Sequence, residues 1–351
     1  MSRMRDVRIL YLDPPDGRLS SGKRPEPQKP YPHVTVYSSA GFLAPDSPLF
    51  ATDPVRGFRG YLRYIRKILQ KEKMAAPLLW LYSPLYLPLC DKLTHNGLVY
   101  DCADQFTRPS GGRKSALAAK REVSLCRRAD AVFAARRDLF HKLEGFNPKT
   151  YLLPNGIDNR PKKNEPDPRI ASYPRPLIGF AGDLSDGVDI ALLEAAADAT
   201  EGTLLLVTTG EMRDKLPRED YLRITSHENV VPVIAESQPA ILDAAADFDL
   251  FLAPYREGAE ESDLRTRVFF VSLASGKPIV STVHSVLLRS FPGCVYASEN
   301  PEEFPKLMKR ALLSDDPARR ECQLAFADGC RWEARVSEIR RLLAREGFLT
   351  D

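Results

Sequence analysis

What the chain lacks narrows it first. Nowhere in its 351 residues is there an apolar run of 18 or more, so no segment reads as a membrane-crossing helix. The N-terminal residues MSRMRDVRILYLDPP pass straight into a strand-like segment. They show neither an apolar signal-peptide core nor a small-residue cleavage site, and a cytoplasmic protein is expected. The six cysteines (Cys90, Cys102, Cys126, Cys294, Cys322 and Cys330) show no CxxC spacing and fall in apolar or helical segments. Buried reduced thiols are expected, not a disulfide framework or a zinc site. The five histidines are scattered, without HExxH or any other metal-ligand spacing, so no metal is expected. A GxxxxGK[ST] loop and a GxGxxG after a strand are both missing, which argues against a P-loop NTPase and an ordinary dinucleotide binder. A GxSxG elbow is missing too, which weakens a hydrolase reading.

What is present describes a folded α/β chain. Hydrophobic residues make up 43% and charged residues 28%, the composition of a globular protein and not of a disordered one. Many of the 29 prolines fall in residues 14–54 and 154–176, marking extended loop or linker. The net charge of +3 hides an asymmetry: residues 1–160 carry 27 Lys and Arg against 15 Asp and Glu, and the remainder 23 against 32. A basic first half would be drawn toward an anionic membrane surface, a phosphorylated lipid or nucleic acid, or it is simply a solvated surface.

Short apolar runs alternate with helical patterns throughout. In the first half the predicted strands are Val7–Leu12, Val34–Tyr37, Pro77–Tyr82, Leu98–Cys102, Ala131–Ala134 and Thr150–Leu153. Helices are predicted over Val55–Lys73 and Ser115–Arg128. The first of these carries Phe58, Leu62, Ile65 and Leu69 on one stripe, with Arg56, Arg59, Arg63, Arg66, Lys67 and Lys71 around the rest. Such a helix packs its stripe on a sheet, or lies on an anionic membrane with Tyr61 and Tyr64 at the interface. After the polar, Pro-rich Asn159–Pro176, the alternation restarts with strands at Leu177–Ala181, Thr203–Thr208, Asn229–Val233, Asp249–Ala253 and Pro278–Ser281. Helices are predicted near Val188–Ala199, Pro239–Ala246 and Val268–Ala274, then over Pro301–Leu313 and Pro317–Glu346. Two blocks of strand–helix alternation predict two Rossmann-like, doubly wound parallel-sheet domains facing a cleft. The boundaries are expected at 1–160, a linker at 161–176, and 177–351, with the last helix returning to the first domain.

Ligands in α/β folds sit at strand ends. The segments there are Tyr100–Phe106, Leu153–Asp158, Gly179–Leu184, Ala253–Arg256 and Leu273–Pro278. With Trp80-Leu81-Tyr82-Ser83-Pro84 and Ala129-Asp130-Ala131-Val132-Phe133 ahead of the domain exit, these make seven motifs in one order. In that order and spacing the chain resembles bacterial group-1-type glycosyltransferases of the GT-B fold, particularly the subgroup carrying YDCxDxF. The resemblance runs from about residue 76 to 315.

It implies a nucleotide-sugar donor held mainly by the second domain and an acceptor, lipid-linked or polysaccharide, held by the first, without metal or other cofactor. The residues it singles out for the donor are Gly182, Asp183, Arg256, Arg265, Arg267, Phe270 and Val271. Glycines at strand ends admit the diphosphate, and arginines and helix N-termini meet its charge. Asp101 or Asp104 is expected to activate the acceptor hydroxyl as general base, or else to cap the following helix.

Two departures qualify the resemblance. Where the family has FEYLA, with a Glu that accepts hydrogen bonds from the ribose, this chain has Phe270-Val271-Ser272-Leu273-Ala274. The preceding diphosphate-binding P-L-K element is likewise not preserved across Arg265–Val268. The first strand–helix unit of the family is expected to be missing or rewritten within Asp16–Tyr31. Two functions are therefore carried forward: a glycosyltransferase at the cytoplasmic face of a membrane, or a non-catalytic partner of an active transferase. A nucleic-acid binder is not expected, because the aromatics are not interleaved with Lys and Arg on strands.

Overall fold

The structure is a computed structural model, and it describes residues 6–15, 25–45, 54–103, 112–158, 166–184, 187–259, 262–282, 293–298 and 300–349. The chain divides into two compact units, one formed by Met1–Pro154 with Arg335–Asp351, the other by Asn155–Ala334.

The first unit holds two small sheets. β1 (Ile9–Leu12) pairs in parallel with β3 (Val34–Tyr37), which pairs antiparallel with β2 (Gln28–Tyr31). β2 lies inside the Pro-rich stretch expected to be loop, and Pro32-His33 turn the chain between the two strands. Residues 16–24 of the segment expected to be rewritten lie outside the described residues. The second sheet is wholly parallel, in the order β4 (Leu78–Leu81), β5 (Gly97–Cys102), β6 (Ala131–Ala134), β7 (Thr150–Leu152). Consecutive parallel strands joined by right-handed crossovers put every connecting helix on the same face. Helices α2 (Gly112–Arg128) and α3 (Arg137–Glu144) connect β5–β6 and β6–β7. On one face Leu98, Tyr100, Cys102, Val132 and Ala134 pack with Leu125, Leu139 and Leu143. The opposite face is closed by a helix from the far end of the chain.

That helix is α10 (Trp332–Arg345), whose Val336, Ile339, Leu342 and Leu343 pack on Val99, Ala131, Phe133 and Leu153. The single helix expected over Pro317–Glu346 is broken at Cys330–Arg331, giving α9 (Pro317–Gly329) and then α10. Ile157 pairs with Arg331 at this break, and the Trp332 N–H donates to the Ile157 carbonyl at 3.1 Å.

The basic helix, α1 (Pro54–Lys71), turns its apolar stripe inward, with Phe58, Tyr61, Ile65 and Ile68 buried. The Tyr61 hydroxyl accepts from Ser39 Oγ at 3.2 Å, and Tyr64 donates to the Ser38 carbonyl at 2.8 Å. Both rings therefore belong to the unit's own packing and are not at a membrane interface, as the sharper reading of this helix required. Arg59, Arg63, Arg66, Lys67 and Lys71 stay exposed, and the Arg56 side chain lies outside those described.

The second unit is a six-stranded parallel sheet in the order β10 (Val230–Ile234), β9 (Thr203–Thr208), β8 (Leu177–Ala181), β11 (Leu250–Ala253), β12 (Ile279–Thr282), β13 (Tyr296–Ser298). Helices α4 (Ile190–Asp198), α5 (Arg218–Thr225) and α8 (Phe304–Leu313) belong to the core on one face. Helices α6 (Gln238–Ala245), α7 (Asp263–Ser275) and α9 cover the other. The near-continuous apolar runs LIGFA in β8 and LLLV in β9 suit strands buried on both faces. β13 was not expected, because three residues carry too short a pattern to read. Of the Pro-rich linker, 159–165 lie outside the described residues. The remainder is fastened to the second unit: Ile170 is fully buried, and the Asp167 N–H donates to Asp247 Oδ2 at 2.6 Å. Five of the six cysteines are buried, and the Cys294 and Cys322 sulfurs lie 3.2 Å apart as thiols.

Candidate functional site

From β8 the chain steps outward through β9 to β10, then returns to β11 and steps the other way. The strand order reverses between β8 and β11, and at such a switch point the loops beyond the two strand ends part to leave a crevice. Gly182 lies immediately beyond β8 at φ 138°, a backbone conformation that side chains other than glycine rarely adopt. Its N–H donates to the Val207 carbonyl at 2.9 Å. The loop that follows is stitched to the loop beyond β11. Val188 bridges Tyr255, the Asp189 N–H donates to the Pro254 carbonyl at 2.8 Å, and the Arg256 N–H to the Gly187 carbonyl at 3.0 Å. Thr282, at the end of β12, donates to the Tyr255 carbonyl at 2.6 Å.

Cationic groups gather on this edge. Ser262 N-caps α7, its Oγ accepting from the Arg265 N–H at 3.2 Å. Capping fixes the first turn of a helix, whose N-terminus carries positive partial charge. The Arg265 guanidinium lies 3.7 Å from the centre of the Tyr255 ring, a cation–π contact that holds it over the strand ends. Arg256 is exposed beside it in sequence, on the loop stitched to Gly187. Beneath Arg265 and Tyr255 lies a cavity of about 30 Å³, lined by Ala181, Ala253, Val268, Phe269 and Ser272 among others.

The remaining residues expected at the donor site fall elsewhere on α7 or beyond β8. Arg267 turns to the next helix, where its Nη2 donates to Gln238 Oε1 at 2.6 Å. Phe270 and Val271 are buried in the core at 1% and 7% exposure, and neither offers a polar side-chain atom. The cavity-facing residues of α7 are Arg265, Val268, Phe269 and Ser272. Asp183 Oδ2 meets Lys215 Nζ at 2.6 Å, and its Oδ1 is buried without a hydrogen-bond partner among the described residues. Tyr255, Thr282, Ser262 and Lys215 were not among the sequence candidates. Ser262 carries a legible signal, a serine just ahead of a helical run, and Tyr255 lies within the strand-end segment Ala253–Arg256.

In the first unit, strand alternation sorts the Tyr100-Asp101-Cys102 run between two faces. Tyr100 and Cys102 point to the crossover helices, where the Tyr100 hydroxyl donates to Glu122 Oε1 at 2.8 Å and Lys142 Nζ meets Glu122 Oε2 at 2.6 Å. Burial pushes the Cys102 thiol up to about 12, so it is a neutral core residue. Asp101 points the other way and accepts from Trp80 Nε1 at 3.0 Å across the β4–β5 pair. Burial raises its carboxyl to about 6, with the Trp80 hydrogen bond opposing that rise. The carboxylate lies within β5 and does not cap α2, which begins at Gly112. Asp104, Gln105 and Phe106 lie outside the described residues. Asp130, of the Ala-Asp motif, is structural: its Oδ2 accepts from the Leu98 N–H at 2.9 Å and fastens β5.

No family model matches the chain. Over 220 residues it is 23% identical to TuaH of Bacillus subtilis (strain 168), whose name assigns it to teichuronic acid biosynthesis as a glycosyltransferase. The match takes in 58% of this chain and spans only 55% of that relative's length. Among solved structures, the chain superposes on a sucrose-phosphate synthase from Thermosynechococcus elongatus with a TM-score of 0.64 at 14% identity, over 97% of this chain and 98% of that one. A UDP-forming trehalose-phosphate synthase from Burkholderia xenovorans gives 0.65 at 13% identity, over 97% and 99%. Anabaena HepE, solved in complex with UDP, gives 0.62 at 16% identity, over 97% and 100%. The fold is therefore α/β with parallel sheets, of the GT-B kind shared by these glycosyltransferases.

Proposed function

We propose that this chain is a glycosyltransferase that moves a sugar from a nucleotide-sugar donor to a lipid-linked or polysaccharide acceptor. The observation that carries this reading is the convergence at the β8–β11 switch point of Gly182, Arg256, Arg265 and the capped N-terminus of α7. A diphosphate needs backbone approach, fixed positive charge and N–H groups, and these residues offer each of them. The likeness to TuaH, and to HepE solved with UDP, supports the same reading and makes UDP the first nucleotide to try. Asp101 is assigned the acceptor proton. A carboxyl near 6 is largely ionised at neutral pH yet more basic than an ordinary aspartate, as a general base should be. With Val271 in the core, ribose recognition falls to polar groups other than that side chain.

The test is thermal unfolding against UDP, GDP, dTDP, CMP and ADP at millimolar concentration. A ligand bound only by the native state raises Tm, by about 2.7 kcal/mol of stability at a hundredfold excess over Kd. One nucleotide is expected to raise Tm, and Arg265→Ala to remove most of the rise, since a charge-assisted contact contributes roughly 1.5–3 kcal/mol. No rise with any nucleotide would overturn the donor reading and favour a non-catalytic partner of an active transferase, as the loss of the ribose-binding Glu suggests.

A further inference from the structure

We infer that Trp80 is the positioning residue that aims the Asp101 carboxylate and holds it in its ionised form. This rests on the reading of Asp101 as the base that takes the acceptor proton. The two side chains sit on neighbouring parallel strands, Trp80 registered beside Val99 and Asp101 two residues further along the same face. The indole N–H donates to Oδ2 at 3.0 Å. An indole is a donor only, so this contact cannot reverse: it fixes one carboxylate oxygen as acceptor and leaves Oδ1 to approach a substrate hydroxyl.

The indole is itself held. Trp80 lies 5.3 Å from the Phe133 ring on β6, and Phe133 lies 6.0 Å from Tyr151 on β7. Tyr151 donates to Glu346 at 2.7 Å and is covered by the Arg345 guanidinium 4.9 Å from its centre. The row of rings, carried on β4, β6 and β7, runs across the sheet to the end of α10, and each ring limits rotation of the next. Trp80 thus has little freedom to release the carboxylate.

The titratable surroundings leave Trp80 as the main control. Tyr82, just beyond β4, feels Asp101 and Tyr11, and burial with those neighbours pushes its phenol upward, so it is neutral at working pH. From β6 the facing side chain is Phe133, and α10 contributes Val336 and Ile339 to the same layer. On β5, Tyr100 and Cys102 point to the other face. Among the described residues no cation pairs with Asp101, so the indole N–H opposes the rise caused by burial.

The experiment compares wild type, Trp80→Phe and Trp80→His. It measures transfer rate against pH together with direct titration of Asp101 from its side-chain ¹³C resonance, and thermal unfolding checks that each variant is folded. Trp80→Phe keeps the ring contact and removes the donor. Its Asp101 titration is expected to rise by about one pH unit, and kcat/KM below pH 6 to fall about tenfold while the high-pH plateau changes little. Trp80→His, which keeps a ring N–H, is expected to restore much of the wild-type titration. An Asp101 titration unmoved in folded Trp80→Phe overturns the proposal. A titration that moves while the rate profile stays fixed supports the Trp80–Asp101 coupling and removes Asp101 from the reaction, so the two readings fail separately.

Discussion

Asp101 combines features that pull against each other. Burial makes the charged carboxylate unfavourable, and the role of base proposed for it at neutral pH requires it. Its native pKa, near 6, lies above the ordinary value of 3.8, so folding favours the protonated form. The stability this contributes is complete below the unfolded pKa and is lost as pH climbs through about 6. Asp101→Asn should therefore be more stable than wild type at pH 8, by roughly 1–3 kcal/mol, with the gain vanishing near pH 4. Asn still offers Trp80 an oxygen acceptor. Transfer by the same variant should fall by about 10²–10⁴-fold. Urea unfolding at the two pH values checks the first outcome, and a variant less stable at pH 8 would refute burial as the cause of the shift. At this scale the sequence was partly readable. It singled out Asp101, but Trp80 could be paired with it only once the β4–β5 register was known. Gly182 and Arg265 were singled out from the sequence, whereas Tyr255, which holds Arg265, lay within the strand-end segment Ala253–Arg256 without being singled out itself.

Among the elements, α7 does most to build the second unit's edge. It starts at Ser262 and ends at Gly276, whose φ of 65° lets the chain turn sharply toward β12. Ser262→Ala and Gly276→Ala should each cost about 1 kcal/mol by loss of a cap or by strain. They should differ in binding. Ser262→Ala loosens the turn that carries Arg265, so its nucleotide-induced rise in Tm should shrink, whereas Gly276→Ala should keep it. Equal loss of that rise in both variants would show that general stability, and not the aim of Arg265, governs binding. Helix and strand patterns along this unit were legible because strands buried on both faces read as unbroken apolar runs, as in β8 and β9. Which face of α7 meets the cavity was not legible. Arg265, Val268, Phe269 and Ser272 line it, but polar and apolar residues are mixed around the helix, so periodicity does not choose between that stripe and the one bearing Val271.

For the molecule as a whole, the alternation of strands and helices foretold two parallel-sheet units, and the last helix was expected to return to the first, but which face of its sheet that helix covers was not legible. The sequential order β4-β5-β6-β7 leaves one face of that sheet without crossover helices, and α10 covers it from the other end of the chain. Each of its four buried apolar side chains contributes roughly 1.5–3 kcal/mol on burial. A chain ending at Arg331 should therefore lose the ordered first unit and keep the second. Limited proteolysis read by mass spectrometry would show protection confined to 155–331, and a protected 6–154 would show that α10 is dispensable.

The first unit is thus written at both ends of the sequence. On a ribosome its β-strands emerge before the second unit, and the helix that seals them emerges after it. Until then Val99, Ala131 and Phe133 have no cover on that face. Synthesis of the whole second unit separates the sheet from the helix that covers it, so the nascent chain must keep an unfinished apolar surface from aggregating while residues 155–334 are made.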